Sequence, residues 1–328
     1  MPLFTATDIG ATGTIQEWTV PKTATWTIEA AGAQGGGTVG GCGARLYGLF
    51  ELQQGDVLQI IAGQHGVPIG QGNGTGSNNA SGGGASAVIL NGQPLMVAGG
   101  GAGAMDASHE PRHGRAGEDG GPSTQSANQG TDGQGSPGSL SGSYGGAGWL
   151  SGNGGSATAL NDTALGCTSG AFNDGGFGGG GSTSSGGNNS RTAGGGGYSG
   201  GGYANTSGNQ SGGGGGSYNA GTNQINLAGD DADGNFGDGW VNIYTPTVVA
   251  GTIYDEEGEP CQRAVYAMTR PTDGSAPQLL GHTLSDPVTG EYELRVNVEE
   301  EVTRVVVSEA DDNPLLNDLV DRVMPGEA

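Results

Sequence analysis

Lysine occurs once in this chain of 328 residues, as Lys22, and every other basic residue is arginine. Against 10 basic residues stand 33 acidic ones, a formal net charge of -23. That deficit argues against nucleic acid as a partner, because nothing would displace counterions from phosphate. It argues equally against an anionic membrane surface. Cysteine is scarce: Cys42, Cys167 and Cys261 lie far apart with no CxxC spacing, which speaks against a disulfide framework or a zinc site. No stretch approaches 18 apolar residues, so no membrane-spanning helix and no membrane insertion are expected. The opening MPLFTATDIGATG has neither a charged n-region nor an apolar h-region. A signal peptide is therefore not expected, and assembly in the cytoplasm is.

At ordinary salt the acidic excess costs stability through self-repulsion. In molar salt the Debye length shrinks to about 3 Å and the cost largely disappears. Abundant Asp and Glu with almost no Lys resembles the proteins of extreme halophiles. The carboxylates fall on both sides of Thr245, so no acidic tail explains the total.

Glycine is what the chain has in abundance. All but six of the 74 glycines precede Thr245, and so sharp a compositional shift marks a domain boundary. Before residue 99 the pattern is that of strands. Trp26, Ile28 and Ala30 alternate with polar residues, and Leu46, Gly48, Phe50 and Leu52 share a face opposite Arg45, Tyr47, Leu49 and Glu51. Residues 56–63 (DVLQIIAG), 87–90 (AVIL) and 94–98 (PLMVA) are short apolar runs bounded by Gly, Asn or Pro. All suit antiparallel sandwich strands. A last strand of this set, 239–244 (GWVNIY), comes about 140 residues later, as a closing strand would after a long insertion.

Between 99 and 238 the chain is nearly all Gly, Ser, Asn, Thr and Ala with isolated aromatics. The stretch GGGGYSGGGYANTSGNQSGGGGGSYNAG, residues 194–221, poses the question of linker or fold. Gly/Ser-rich segments are random coil by default. Collagen needs glycine at every third position, and these runs keep no such register. A bundle of polyglycine-II helices is the remaining structured choice: without Cβ atoms the rods approach closely enough to bond backbone to backbone.

Catalysis finds little support, for neither a GxSxG elbow nor an HExxH motif is expected. His109 and His113 stand four apart in HEPRHGR, the spacing of two ligands on one helical face. Pro111 between them argues for an exposed loop instead. Asp230, Asp231 and Asp233 cluster oxygens before a glycine, as a calcium loop would, but lack the terminal glutamate of an EF-hand; a solvated turn is the other reading. GxGxxG matches follow from glycine content alone. The aromatics Tyr144, Trp149, Phe172, Phe177, Tyr198, Tyr203 and Tyr218 stand among small polar residues. That composition suits recognition loops and stacking on sugar rings; the alternative is that each packs beneath its loop. Tyr198 and Tyr203 interrupt glycine runs at short spacing and are expected to pack, while Trp149 and Phe172 are the first candidates for exposed tips.

Glu17-Trp18-Thr19-Val20-Pro21 followed by Trp26-Thr27-Ile28-Glu29-Ala30-Ala31-Gly32-Ala33-Gln34-Gly35-Gly36 resembles the start of the glycine-rich domain of the anaplastic lymphoma and leukocyte tyrosine kinase receptors. Gly55-Asp56-Val57-Leu58, Ile61-Ala62-Gly63-Gln64, Gly83-Gly84-Ala85, Val97-Ala98-Gly99-Gly100-Gly101 and Gly237-Asp238-Gly239-Trp240-Val241 continue the likeness in order. The resemblance implies a jelly-roll-like β-sandwich (1–98 and 236–245) carrying an inserted polyglycine-II bundle (99–235). The kinase, the membrane span and most cysteines are missing, so receptor signalling does not carry over. Val249-Ala250-Gly251-Thr252-Ile253-Tyr254-Asp255, Ala264-Val265-Tyr266-Ala267 and Thr289-Gly290-Glu291-Tyr292-Glu293-Leu294 resemble a transthyretin-like or Ig-like sandwich (246–328), non-catalytic in its family. Val305-Val306-Val307 and residues 319–325 resemble the end of small sandwich domains in virion proteins.

Similar glycine bundles occur in adhesins at the tips of tailed-virus fibres. The mainly β chain is therefore expected to be a virion surface protein of a tailed virus of a halophilic archaeon, a tail fibre or adhesin for host attachment. A capsid turret or decoration protein and a cellular surface adhesin are the alternatives. Expected partners are copies of itself in a homo-oligomer, other virion proteins, and a host surface glycan or glycoprotein met by Trp149, Phe172, Phe177, Tyr144, Tyr203 and Tyr218. No cofactor is expected, calcium at Asp230, Asp231 and Asp233 aside, and the chain is not expected to be an enzyme.

Overall fold

The computed structural model describes residues 4–5, 13–37, 39–66, 79–105, 108–109, 112–125, 127–137, 139–140, 142–153, 157–162, 175–183, 190–206, 210–230, 234–244, 247–255, 257–268, 279–296, 304–308, 318–321 and 326–327. Among these the fold is mainly β, in several antiparallel sheets and without an α-helix. The backbone divides into two compact units, one of Phe4–Thr23 with Ile28–Ile243, the other built chiefly from Tyr244–Ala328.

The larger unit supplies most of two five-stranded sheets. One runs in the order Phe4–Thr5, Trp240–Tyr244, Ala24–Ala31, Arg45–Leu52, Thr222–Leu227; the other runs Tyr218–Asn219, Gln93–Ala98, Ser86–Leu90, Val57–Ile61, Gln16–Thr19. In the second sheet Asn91-Gly92 makes the two-residue turn between its central strands, with both φ values positive, as a type I′ hairpin requires. Its register aligns Ile61, Ala87, Val97 and Tyr218 in one row, and Ile60, Val88, Met96 and Asn219 in the next. Successive rows face opposite sides of a sheet. The first row packs on Trp149, Leu160 and Phe177 of the glycine-rich region. In the second row Ile60, Val88 and Met96 are also fully buried. Burial on both faces is why these strands read as continuous apolar runs in the sequence.

The glycine-rich region belongs to the same unit, and its backbone is bonded in a regular way. Residues 99–104 form neither helix nor strand beyond a single bridge at Ala104. Gly100 and Gly103 donate to Gly196 and Ala193, Gly101 and Ala104 to Ala33 and Gly36, and Ala102 to Arg112. The carbonyls repeat likewise: Gly99 and Ala102 accept from Ala44 and Gly41, Gly100 and Gly103 from Gly215 and Gly212, and Gly101 from Gly83. Every third group therefore meets the same neighbour, and one segment is bonded to six others. Residues 193–198 do the same, donating in turn to residues 80–83, 144–147 and 213–216. Bonds that repeat every three residues require a chain with three residues per turn. Closeness explains the glycine: a Cβ on Gly99, Gly100, Gly101 or Gly103 would lie under 3.0 Å from a neighbour's carbonyl oxygen. Residues 194–206 and 210–221 of the long glycine-rich stretch are thus packed chain.

Buried, bonded amides exchange only when the lattice opens. In molar salt the amides of Gly195, Gly196, Gly213 and Gly215 are expected to exchange orders of magnitude more slowly than those of exposed segments. Mass-spectrometric exchange that finds all of them deuterated within seconds would overturn this.

The smaller unit holds a sheet of Glu291–Val296, Thr247–Thr252 and Gly326–Glu327, and another of Leu279–Leu284, Ala264–Met268, Arg304–Ser308 and Asp318–Asp321. All their pairings are antiparallel. Val265 lies opposite Val307, and Ala267 opposite Val305, a pairing that β-branched residues suit.

Candidate functional site

The sheets lie at one end of the glycine-rich region, because their strands continue into it. Ala24–Ala31, Val57–Ile61 and Gln93–Ala98 run out into residues 32–37, 63–66 and 99–104, while residues 81–85 and 212–217 lead back into Ser86–Leu90 and Tyr218–Asn219. The far end follows from the pairings. Ser190–Thr192 lies parallel to Asn79–Ala80 and antiparallel to Ala204–Thr206. The described residues flanking 67–78, 184–189 and 207–209 therefore all stand at that one end. The hairpin of Ser139–Leu140 and Ser143–Tyr144 joins them through the Ser143–Thr183 bridge, and residues 104–105 through the Ala104–Ser211 bridge.

The described side chains there are mostly neutral and polar. Thr124 Oγ1 donates to Gln210 Oε1 at 2.7 Å and accepts the Ser211 N–H at 3.2 Å. Asn128 Oδ1 accepts the Tyr203 N–H at 3.1 Å while its Nδ2 donates to the Tyr203 carbonyl at 2.8 Å. The amide thus acts as a neighbouring strand would and fixes the half-buried Tyr203. Such groups bond hydroxyls and amides and offer little to a charged ligand. Nothing in the sequence signalled Asn128, Thr124 or Gln210, whose partners lie 75 or more residues away.

Of the candidates read from the sequence, Tyr144 and Tyr203 stand at this end, and Trp149, Phe177 and Tyr218 do not. Trp149 and Phe177 are each only 4% exposed, which corrects the expectation that Trp149 forms an exposed tip. Both pack with Leu160 on the second sheet, beside Tyr198 and Tyr218, whose rings stack at 4.9 Å. The reason is volume: glycine segments offer no side chains, so aromatics must fill the space between them and the sheet. Tyr144 is half-buried on Ala147 and Ala157. Phe172 lies outside the described residues, as do Asp231 and Asp233; Asp230 is exposed.

Two motif spellings also need correction. His109 to His113 does spell HExxH, and Gly197 to Gly201 spells GxSxG, yet neither has its context. His109 Nε2 lies 3.0 Å from the Pro122 carbonyl, and His113 is buried with Nδ1 accepting the Cys42 N–H at 3.1 Å. His113 is therefore in the interior, not in an exposed loop. Ser199 is buried too, its Oγ accepting the Gly133 N–H at 3.1 Å. Among the described residues no group of three or more His, Cys, Asp or Glu could hold a metal.

The face of the first sheet carries a cluster that the sequence reading left out. The Arg45 guanidinium lies 5.5 Å from the Trp240 ring centre and Nε donates to Glu29 at 2.7 Å. Trp240 Nε1 donates to Asn235 Oδ1 at 3.0 Å, and Asn235 Nδ2 holds the Gly32 carbonyl at 2.8 Å. This arrangement secures the chain's return from the glycine-rich region to the sheet and leaves Phe236 73% exposed beside it. His65, whose N–H donates to Asp238 at 2.7 Å, is held below its usual pKa chiefly by burial, with Asp238 opposing.

A search of protein families found no matching family model, and no curated protein matches the chain.

Proposed function

We propose that this chain is a virion surface protein of a tailed virus infecting a halophilic archaeon, and that it serves in host attachment. The observation that carries the reading is the far end of the glycine bundle, where neutral polar side chains stand on a backbone lattice. Groups held in this way lose little entropy on contact. In this reading the three-residue repeat is that of polyglycine-II helices set in a jelly-roll-like sandwich, and the smaller unit is a transthyretin-like sandwich. The ligand is a host glycan or glycoprotein, matched by hydroxyls and amides. Assembly as a homo-oligomer with other virion proteins multiplies weak single contacts. The protein acts by binding, not catalysis, and the net charge of -23 suits it to molar salt.

A second reading, a capsid turret or decoration protein, is favoured by the burial of Trp149 and Phe177, which removes two aromatics from the recognition surface. Immunogold labelling of intact particles in high salt separates the two. Gold at the tail end is the expected result; gold at capsid vertices would favour the turret. Particles without gold would overturn the virion reading and leave a cellular adhesin.

A further inference from the structure

The smaller unit carries three exposed apolar residues on segments that its hydrogen bonds tie together at one end. Ile253 donates to the Gly290 carbonyl at 2.9 Å and accepts the Cys261 N–H at 3.1 Å. Ser285 Oγ donates to the Cys261 carbonyl and accepts the Arg263 N–H, both at 2.8 Å. The Asp286 N–H donates to the Glu291 carbonyl at 2.8 Å. These bonds knot residues 253–263 to residues 285–291, where Thr247–Thr252 ends and Ala264–Met268 begins. Tyr254, Leu284 and Val288 project from that knot, 59%, 62% and 78% exposed. Each is within two residues of a bonded member of it.

Single exposed apolar residues are ordinary, but three borne by one hydrogen-bonded knot suit an interface. Salts that strengthen the hydrophobic effect raise the cost of leaving it bare. Glu257, Glu259, Asp286 and Glu291 of the same segments are exposed, and Arg263 is their one basic residue.

We propose that this end of the smaller unit docks a different protein chain, one that presents apolar side chains rimmed by arginine or lysine. Charge selects the occupant. Two copies meeting through this end would set the same carboxylates against each other, and each copy carries -23, whereas a basic rim pairs with them. This goes beyond attachment through the bundle and does not depend on it.

The test is photo-cross-linking of the full chain in the cells that make it, at their native salt, with p-benzoylphenylalanine in place of Val288. The same probe at Val57, 44% exposed in the larger unit, gives the background. The expected product joins a different chain, with the link mapping beside arginine or lysine. Its yield should fall at least about tenfold when Tyr254→Ser and Leu284→Ser are added, as loss of central apolar anchors does. Both changes are at exposed positions, and an unchanged melting temperature checks the fold. A product with a second copy, a link to a surface without basic residues, or a yield no higher than at Val57 overturns the proposal. No particle enters this readout, so failure of the attachment reading leaves it intact.

Discussion

Gly101→Ala is expected to destabilise the larger unit by upwards of about 3 kcal/mol, through overpacking that has no room to relax. The added Cβ would strike the carbonyl oxygen of Gly41. Neither chain can retreat, because Gly101 donates to Ala33 at 2.8 Å and accepts from Gly83 at 2.9 Å, while Gly41 donates to Ala102 at 3.0 Å. Shifting one segment would strain several bonds, each worth about 1 kcal/mol net. Gly117→Ala is the control: its Cβ would meet nothing within 4 Å and its φ is ordinary, so the change should stay within about 0.5 kcal/mol. Calorimetry in molar salt reads the difference as a melting temperature roughly 6–12 °C lower for Gly101→Ala alone. Equal melting of the two variants would show that the segments are not packed as described.

Trp149→Ala carries the second large effect, about 3–5 kcal/mol, the usual cost of emptying a buried aromatic site. The indole packs with Phe177 and Leu160 on Ala87, Ile89 and Val97 of the second sheet. The Trp149 N–H also donates to the Tyr198 carbonyl at 2.7 Å, and alanine keeps that bond, so the loss reports packing alone. Well below its lowered melting temperature the variant should still adsorb to cells as the parent does. Lost adsorption with unchanged melting would return Trp149 to the recognition surface.

These two residues mark where sequence reasoning succeeded and where it could not. Strands announced themselves through alternation: Leu46, Gly48, Phe50 and Leu52 are buried where the pattern placed them. The far end of the glycine-rich region was not legible. Asn128 meets Tyr203 and Thr124 meets Gln210 across 75 and 86 residues of low-complexity chain, and no local pattern encodes such a pairing. The aromatics misled for a related reason. In a segment without other large side chains, a lone tryptophan looks conspicuous, and conspicuous residues invite a role at the surface.

By itself the sequence determined a mainly β chain, a change of character near Thr245, and a charge that disfavours nucleic acid. Each is a property of composition or of period-two alternation, which survive in any arrangement of the elements. Only the tertiary structure decided which glycine segments are neighbours, which aromatics lie beneath them, and which turns share an end. Glycine carries no side chain to specify a partner. The lattice is therefore specified by backbone bonds that every glycine could make, and which ones form depends on the sheets and aromatics that frame it.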